Sequence, residues 1–205
     1  IIKRRFKRGE LLHKVTPELI GYKDNFYFYK WEEGKTLYEK CDPKTFKNLL
    51  TFLKKYLWGK KEVKGFKNSC KNFYKIKTLK RLDDYFKKYD EVDKINLINN
   101  NKVINIYDLL KLINWNNIYK GWPCNFHGDL QFDNILNFKN KFKLIDWRDS
   151  FADKNYGDIY YDFAKLLGGI ELNYRLIKSS KFFYRKIGNN INYKIFKYNN
   201  QDNYR

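Results

Sequence analysis

The stretch HGDLQFDNIL, residues 127–136, followed by KFKLIDW, residues 141–147, decides how this chain is read. ILNF and KFKL alternate apolar with polar residues on either side of Lys139 and Asn140, and two alternating runs around a tight polar turn predict a β-hairpin. Asp129 and Asn134 stand five residues apart in the segment that enters the hairpin, and Asp146 closes its second strand. Beyond it, GDIYYDFAKLLGGIEL offers Asp158 as a helix cap and places Phe163, Leu166, Leu167 and Ile170 on one helical face.

Working upstream, Pro17 is followed by ELIGYKDNFYFYKWEEGKTL. It reads as a strand over residues 19–22, a turn over 23–25 and a strand over 26–31, with Glu32, Glu33 and Gly34 as a polar connector. Asp42 before Pro43 predicts a helix start, because a carboxylate caps free N–H groups and proline is tolerated at the first helical position. Phe46, Leu49, Leu50, Leu53 and Leu57 then recur at helical spacing. A longer helix is expected over residues 69–89, its apolar side formed by Phe73, Leu79, Leu82, Tyr85, Phe86 and Tyr89 and read as core packing. Another is expected over 106–115, with an exposed loop over 90–103 between them. No internal repeat or Pro-rich linker interrupts this order, and residues 172–205 carry no motif.

The spacing of Asp129 and Asn134 is that of the Asp and Asn in the catalytic loop of protein kinases, and Asp146 stands where kinases place the Asp that holds magnesium. The chemistry has a physical reason. Magnesium prefers oxygen ligands, and a carboxylate with an amide carbonyl holds it while leaving positions for water and phosphate oxygens. A separate carboxylate, free of the metal, is needed to orient the attacking hydroxyl and accept its proton.

HGDLQFDNIL, LIDW and GDIYYDFAKLL together resemble the signature of the aminoglycoside phosphotransferase and choline kinase family, relatives of the protein kinases. The resemblance implies an α+β, protein-kinase-like fold. Residues 1–33 would be the remnant of a small nucleotide-binding β lobe and its hinge, and residues 34–205 a mostly helical large lobe containing the catalytic-loop hairpin. It implies a transferase that moves the γ-phosphate of ATP to a hydroxyl of a small molecule: a sugar, an amino alcohol or an aminoglycoside-like acceptor. Asp129 would be the catalytic base, and Asn134 and Asp146 the ligands of Mg2+. His127 would be structural, with Asp158 and Asp162 supporting the loop. Tyr29, Lys30, Trp31, Glu32 and Glu33 would form the hinge that meets the adenine.

The chain departs from that pattern at its start. About 28 residues precede the hinge, with no Gly-rich loop among them. Ile1 to Lys3 reads either as the end of the strand whose Lys faces the phosphates, with Glu10 on the helix that pairs with it, or as a solvated basic run. The sequence opens without Met, which fits a piece of a longer protein; a degenerate small lobe or one supplied by another chain are the alternatives. Tight ATP binding by this polypeptide alone is not expected. A kinase-like binding or scaffold protein without catalysis is therefore the second functional class.

Composition narrows the field further. The hydrophobic content of 43% over 205 residues is ample for a packed core, and no apolar run approaches the roughly 20 residues of a membrane span. Cys41, Cys70 and Cys124 are odd in number and in no CxxC spacing, which points to a reducing, cytoplasmic compartment; Cys124 reads as a core residue. The net charge of +20 attracts phosphates of every kind, but the excess is spread along the chain among Asn, Ile and Tyr, as AT-rich codons would produce. No nucleic-acid-binding motif accompanies it, so nucleic acid is not the expected partner. Asp149, Asp153 and Asp158 form a modest acidic cluster that would favour a cationic acceptor, and Arg148 and Asp149 are placed either to face that acceptor or to form a surface pair. Oligomeric state is not legible.

Overall fold

Helix α1, Ile2–Leu11, opens the chain, where the sequence offered a strand end or a solvated basic run. The segment contains good helix formers, and at helical spacing Arg5, Arg8, Gly9 and Leu12 fall on one face and turn inward. Lys3 and Glu10 are exposed, and no ion pair joins them. The computed structural model describes residues 1–39, 41–89, 95–172 and 174–195, and only the backbone of Arg175.

Strands β1, Leu19–Lys23, and β2, Phe26–Tyr29, form an antiparallel hairpin turned at Asp24, whose φ of 49° suits a tight turn. Strand β3, Lys35–Thr36, leads into helix α2, Pro43–Tyr56, capped as expected: the Asp42 carboxylate accepts from Thr45 N at 2.7 Å. Leu49, Leu53 and Leu57 of the helical pattern are buried.

The long helix expected over residues 69–89 is divided in three. Helix α3, Phe66–Lys71, passes through a π-helical turn at Asn72–Ile76 into helix α4, Lys77–Lys88. Its aromatic stripe is core only at Phe73. Among the described residues α4 buries none, and Phe86 instead packs on Tyr107 with ring centroids 5.5 Å apart. Residues 90–94 of the expected loop lie outside the described residues. The rest of it forms a tight hairpin, β4, Leu97–Ile98, and β5, Asn101–Lys102, turned through Asn99 and Asn100 at positive φ. The helix expected over 106–115 is two short ones, α5, Ile106–Lys111, and α6, Trp115–Ile118. They are separated because the Asn114 side chain accepts from Asn117 N at 3.2 Å and caps the second.

Strand β6, Pro123–Cys124, precedes the predicted hairpin, which forms as β7, Ile135–Phe138, and β8, Lys141–Leu144. Lys139 and Asn140 both adopt positive φ in its turn. Strand β9, Gly157–Asp158, pairs with β6 and runs into helix α7, Ile159–Glu171, then α8, Tyr174–Lys178. The core face of α7 consists of Asp162, Leu166, Gly169 and Ile170; Phe163 and Leu167 of the expected face are exposed. Residues 172–195, which carry no sequence motif, add strands β10, Phe182–Ile187, and β11, Asn190–Ile195, to β4 and β5, making an unanticipated four-stranded sheet.

The molecule is thus an α+β structure with several small sheets. β3 pairs with β7, tying the connector after residue 33 to the predicted hairpin. One hydrophobic cluster joins α2, this hairpin, Trp147 and α7; a second gathers Phe66, Phe73, Cys124, Phe126 and Phe151, with Trp58 touching both. All three cysteines are free thiols, two of them buried. No helix among the described residues is long and apolar enough to cross a membrane.

Trp147 fastens α1 to the rest. It is fully buried, donates Nε1–H to Arg5 O at 2.8 Å and packs its ring 5.4 Å from that of Tyr27. A Cβ added at Gly9 would lie 2.4 Å from the Trp147 ring and 2.8 Å from Leu19. Gly9→Ala should therefore lower the denaturant midpoint by the equivalent of about 1–2 kcal/mol, because overpacking against a ring that cannot move outweighs Ala's better helix propensity. Gly168→Ala in α7, where an added Cβ meets nothing within 4 Å, should be neutral or stabilising in the same assay.

Candidate functional site

The loop between β6 and β7 is held by its backbone. Arg8, 2% exposed, donates to the carbonyls of Phe126, His127 and Arg148 and, through Nε at 3.4 Å, to Asn155 O. Its guanidinium lies 4.1 Å from the centroid of the Phe126 ring. On the other side, the buried Asp162 carboxylate accepts from His127 N and Gly128 N, both at 2.8 Å, and from Trp58 Nε1 at 3.0 Å. Carbonyls turned one way meet a cation and N–H groups turned the other way meet an anion. Gly128 sits at φ 87°, and an added Cβ would meet Arg148 Cβ at 2.6 Å, so the position demands glycine on both conformation and space.

His127 is fully buried. Its Nε2 lies 2.9 Å from Ile145 O, a group that only accepts, so Nε2 carries the proton, and Nδ1 accepts from Asp129 N at 3.2 Å. The ring thereby ties Asp129 to the residue before Asp146. Burial, then the Arg8 charge, hold this imidazole down at about 3. Asp158 caps α7, accepting from Trp122 N at 2.8 Å, Tyr74 Oη at 2.8 Å and Tyr160 N at 3.3 Å, and burial lifts its carboxyl above the ordinary range.

Asp129 is half-buried. Its Oδ1 accepts from Gln131 Nε2 at 2.8 Å and pairs with Lys165 Nζ at 2.9 Å. Burial pushes this carboxyl up, but the Gln131 and Lys165 hydrogen bonds and the Lys165 charge outweigh it and leave the group below its ordinary value. It is ionised at neutral pH. Asn134 donates Nδ2–H to Asp129 O at 2.8 Å, which leaves its carbonyl oxygen as the uncommitted polar atom. Ile145 N donates to Asn134 O at 3.0 Å, so Asn134 and Asp146 flank one end of the β7–β8 hairpin. Asp146 adopts φ 54°, a left-handed conformation rare for a residue with a side chain. Its Oδ1 pairs with Arg5 Nη1 at 2.9 Å, and Oδ2 carries no hydrogen bond.

Two oxygens from Asn134 and Asp146, with the remaining positions left to water and phosphate, are a donor set that fits Mg2+. Among the described residues no three His, Cys, Asp or Glu converge, so the protein's share of such a site is this pair.

The five hinge residues part company. Tyr29 packs its ring 6.5 Å from Trp147, and burial, then the Asp146 charge, raise its hydroxyl. Lys30 turns outward to Glu18 at 2.7 Å, Trp31 is 88% exposed, and Glu32 reaches Lys143 at 3.7 Å. Glu33 lines a cavity of about 630 Å³ shared with Asn137 and Phe138 but with none of Asp129, Asn134 or Asp146. The acidic cluster does not form a site either. Arg4 holds Asp149 at 2.8 Å and Asp153 at 3.0 Å, so Asp149 pairs with Arg4 and not with Arg148, while Asp158 is buried under its helix. Arg5, Arg8 and Lys165 were not singled out from the sequence. The signal for the first two lay in their helical phase with Gly9 and Leu12, and for Lys165 in its position one turn beyond Asp162.

His127 and Asp162 make opposite contributions to acid stability. The His127 ring, neutral when folded, protonates in the unfolded chain, so its contribution is complete above about pH 6.5 and is lost as pH falls toward 3. Burial lifts the Asp162 carboxyl to about 6, so its contribution is complete below about pH 4 and is lost as pH rises through 6. Between about pH 6 and 4 the two slopes offset each other. Asp162→Asn removes the offset, and urea midpoints of that variant should fall more steeply from pH 6.5 to 4 than those of the parent. Parallel profiles would mean that Asp162 does not titrate there.

No protein-family model, no curated protein and no solved structure matches the chain, so a functional reading rests on the geometry of the site.

Proposed function

We propose that the chain is a kinase-like phosphotransferase that moves the γ-phosphate of ATP to a hydroxyl of a small molecule, in the manner of the aminoglycoside phosphotransferase and choline kinase family. The reading is carried by the division of labour at one end of the β7–β8 hairpin. Asp129 has an ionised carboxylate fixed by Gln131 and Lys165, while Asn134 and Asp146 each keep one oxygen uncommitted. In this reading the Asp129 carboxylate orients the acceptor hydroxyl and takes its proton. A bond forms from the acceptor oxygen to the γ-phosphorus, the bond from that phosphorus to the β–γ bridging oxygen breaks, and ADP leaves with the electron pair. Asn134 and Asp146 would hold Mg2+, which when bound neutralises charge on the phosphates. α1 and the β1–β2 hairpin are the remaining part of the nucleotide-binding lobe, with Tyr29 at the hinge.

A second reading, nucleotide binding without transfer, has one observation in its favour. Arg5 occupies Asp146, so a cation already stands where the metal's charge would be needed. Two measurements on this chain separate the readings. Phosphotransfer predicts Mg2+-dependent thermal stabilisation by ATP together with ADP release on a panel of hydroxyl acceptors. Asp129→Asn should reduce that release by about 100-fold or more while sparing the thermal shift. Stabilisation with no ADP from any acceptor would favour the binding protein. Turnover that survives Asp129→Asn would remove Asp129 from its role.

A further inference from the structure

The carboxylates that would attract a cationic acceptor are already taken up by Arg4 and by the cap of α7. Beside them lies a group of cations with no such partner. Lys77 and Arg148 line a cavity of about 390 Å³, together with Phe73 and the Arg4-bound Asp149 and Asp153. The Lys77 ammonium sits 4.4 Å from the Phe73 ring centroid and the Arg148 guanidinium 5.3 Å from the same ring. Arg148 also lies 6.0 Å from the Tyr161 ring, and Lys165 lies 5.8 Å from it. Phe73 and Tyr161 meet edge to face at 4.8 Å, so one pair of rings carries three cations, the last of which ends on Asp129. Among the described residues neither Lys77 nor Arg148 forms an ion pair with any carboxylate.

Cations scattered over a chain of charge +20 ordinarily point apart into water. These three converge on rings, one of them buried, next to the candidate base. Burial, then the charges of Arg148 and Arg81, pull Lys77 down to about 8, against the opposing pull of Asp149. An anion placed among them would relieve that repulsion. Their contacts run to Phe73, Tyr161 and Asp129; the cation beside Asp146 is a different one, Arg5.

We propose that Lys77 and Arg148 bind an anionic group, a phosphate ester or a carboxylate, on the same molecule that presents its hydroxyl to Asp129; this rests on the phosphotransferase reading above. The acceptor is then an anionic hydroxyl compound and not a choline-like or aminoglycoside-like cation. The proton, phosphoryl and ADP steps are unchanged, and the anion is a handle that positions the hydroxyl.

ADP release is to be followed with glycerol 3-phosphate, glucose 6-phosphate and glycerate against glycerol, glucose, choline and ethanolamine, and the anionic compounds titrated by calorimetry without nucleotide. The expected result is a preference of about tenfold or more in kcat/KM for an anionic compound over its neutral counterpart. Lys77→Glu and Arg148→Met should each raise KM for that compound by about tenfold with the KM for MgATP unchanged, and Lys77→Arg should restore most of it. Preference for choline or ethanolamine, or binding indifferent to Lys77→Glu, overturns the inference. A rise in the KM for MgATP instead assigns the cations to the nucleotide's phosphates and overturns it too. If no compound yields ADP while calorimetric binding of an anionic one is lost in Lys77→Glu, phosphotransfer fails and the anion site stands; if neither occurs, both fail.

Discussion

The backbone of residues 126–128 is held between two buried charges, and the candidate site depends on that clamp. Arg8, from α1, takes carbonyls, while Asp162, from α7, takes N–H groups across sequence separations of 119 and 34 residues. Burying either charge without such partners would be costly, because an isolated ion loses its hydration with nothing in return. Here the peptide groups of the loop are the partners of both. Removing either side chain would leave the other partly uncompensated and release the loop that carries Asp129. The loop conformation and the docking of α1 and α7 are one cooperative unit.

Much of this was legible where local chemistry decides the outcome. The β7–β8 hairpin follows from two alternating runs and a turn at Lys139 and Asn140, and α2 and α7 start at the aspartates that cap them. Asp129, Asn134 and Asp146 are gathered because a loop and a hairpin of set length leave no other arrangement. What escaped were decisions made by distant partners. Residues 2–11 read as basic surface, yet Arg5 and Arg8 are drawn inward by an aspartate and by carbonyls from the far half of the chain. The stripe on α4 has helical period but no core to face, and β10–β11 found their sheet partners in a segment that reads as a loop.

A strongly basic composition also takes on a different meaning once the cations are located. Lys165 on Asp129, Arg5 on Asp146 and Arg4 on Asp149 and Asp153 neutralise each of the candidate site's carboxylates from within the chain. The site is poised as a set of ion pairs whose members can exchange partners when phosphate oxygens enter. Half-buried pairs of this kind are less screened by salt than the exposed lysines that dominate the charge count.

The π-helical turn at Asn72–Ile76 has a consequence for how the charged face could diverge. A π turn is a helix carrying one residue more than its α-helical counterpart, and such turns recur at functional sites. Each residue advances an α-helix by about 100°, so deleting one residue here would restore an uninterrupted helix and rotate everything after it by that angle. Lys77 would leave the face it shares with Phe73 while the core upstream stayed in register. A single codon's gain or loss in this turn is thus a phase switch that reassigns which side chains of α4 look toward Asp129, with the β7–β8 hairpin and its loop untouched.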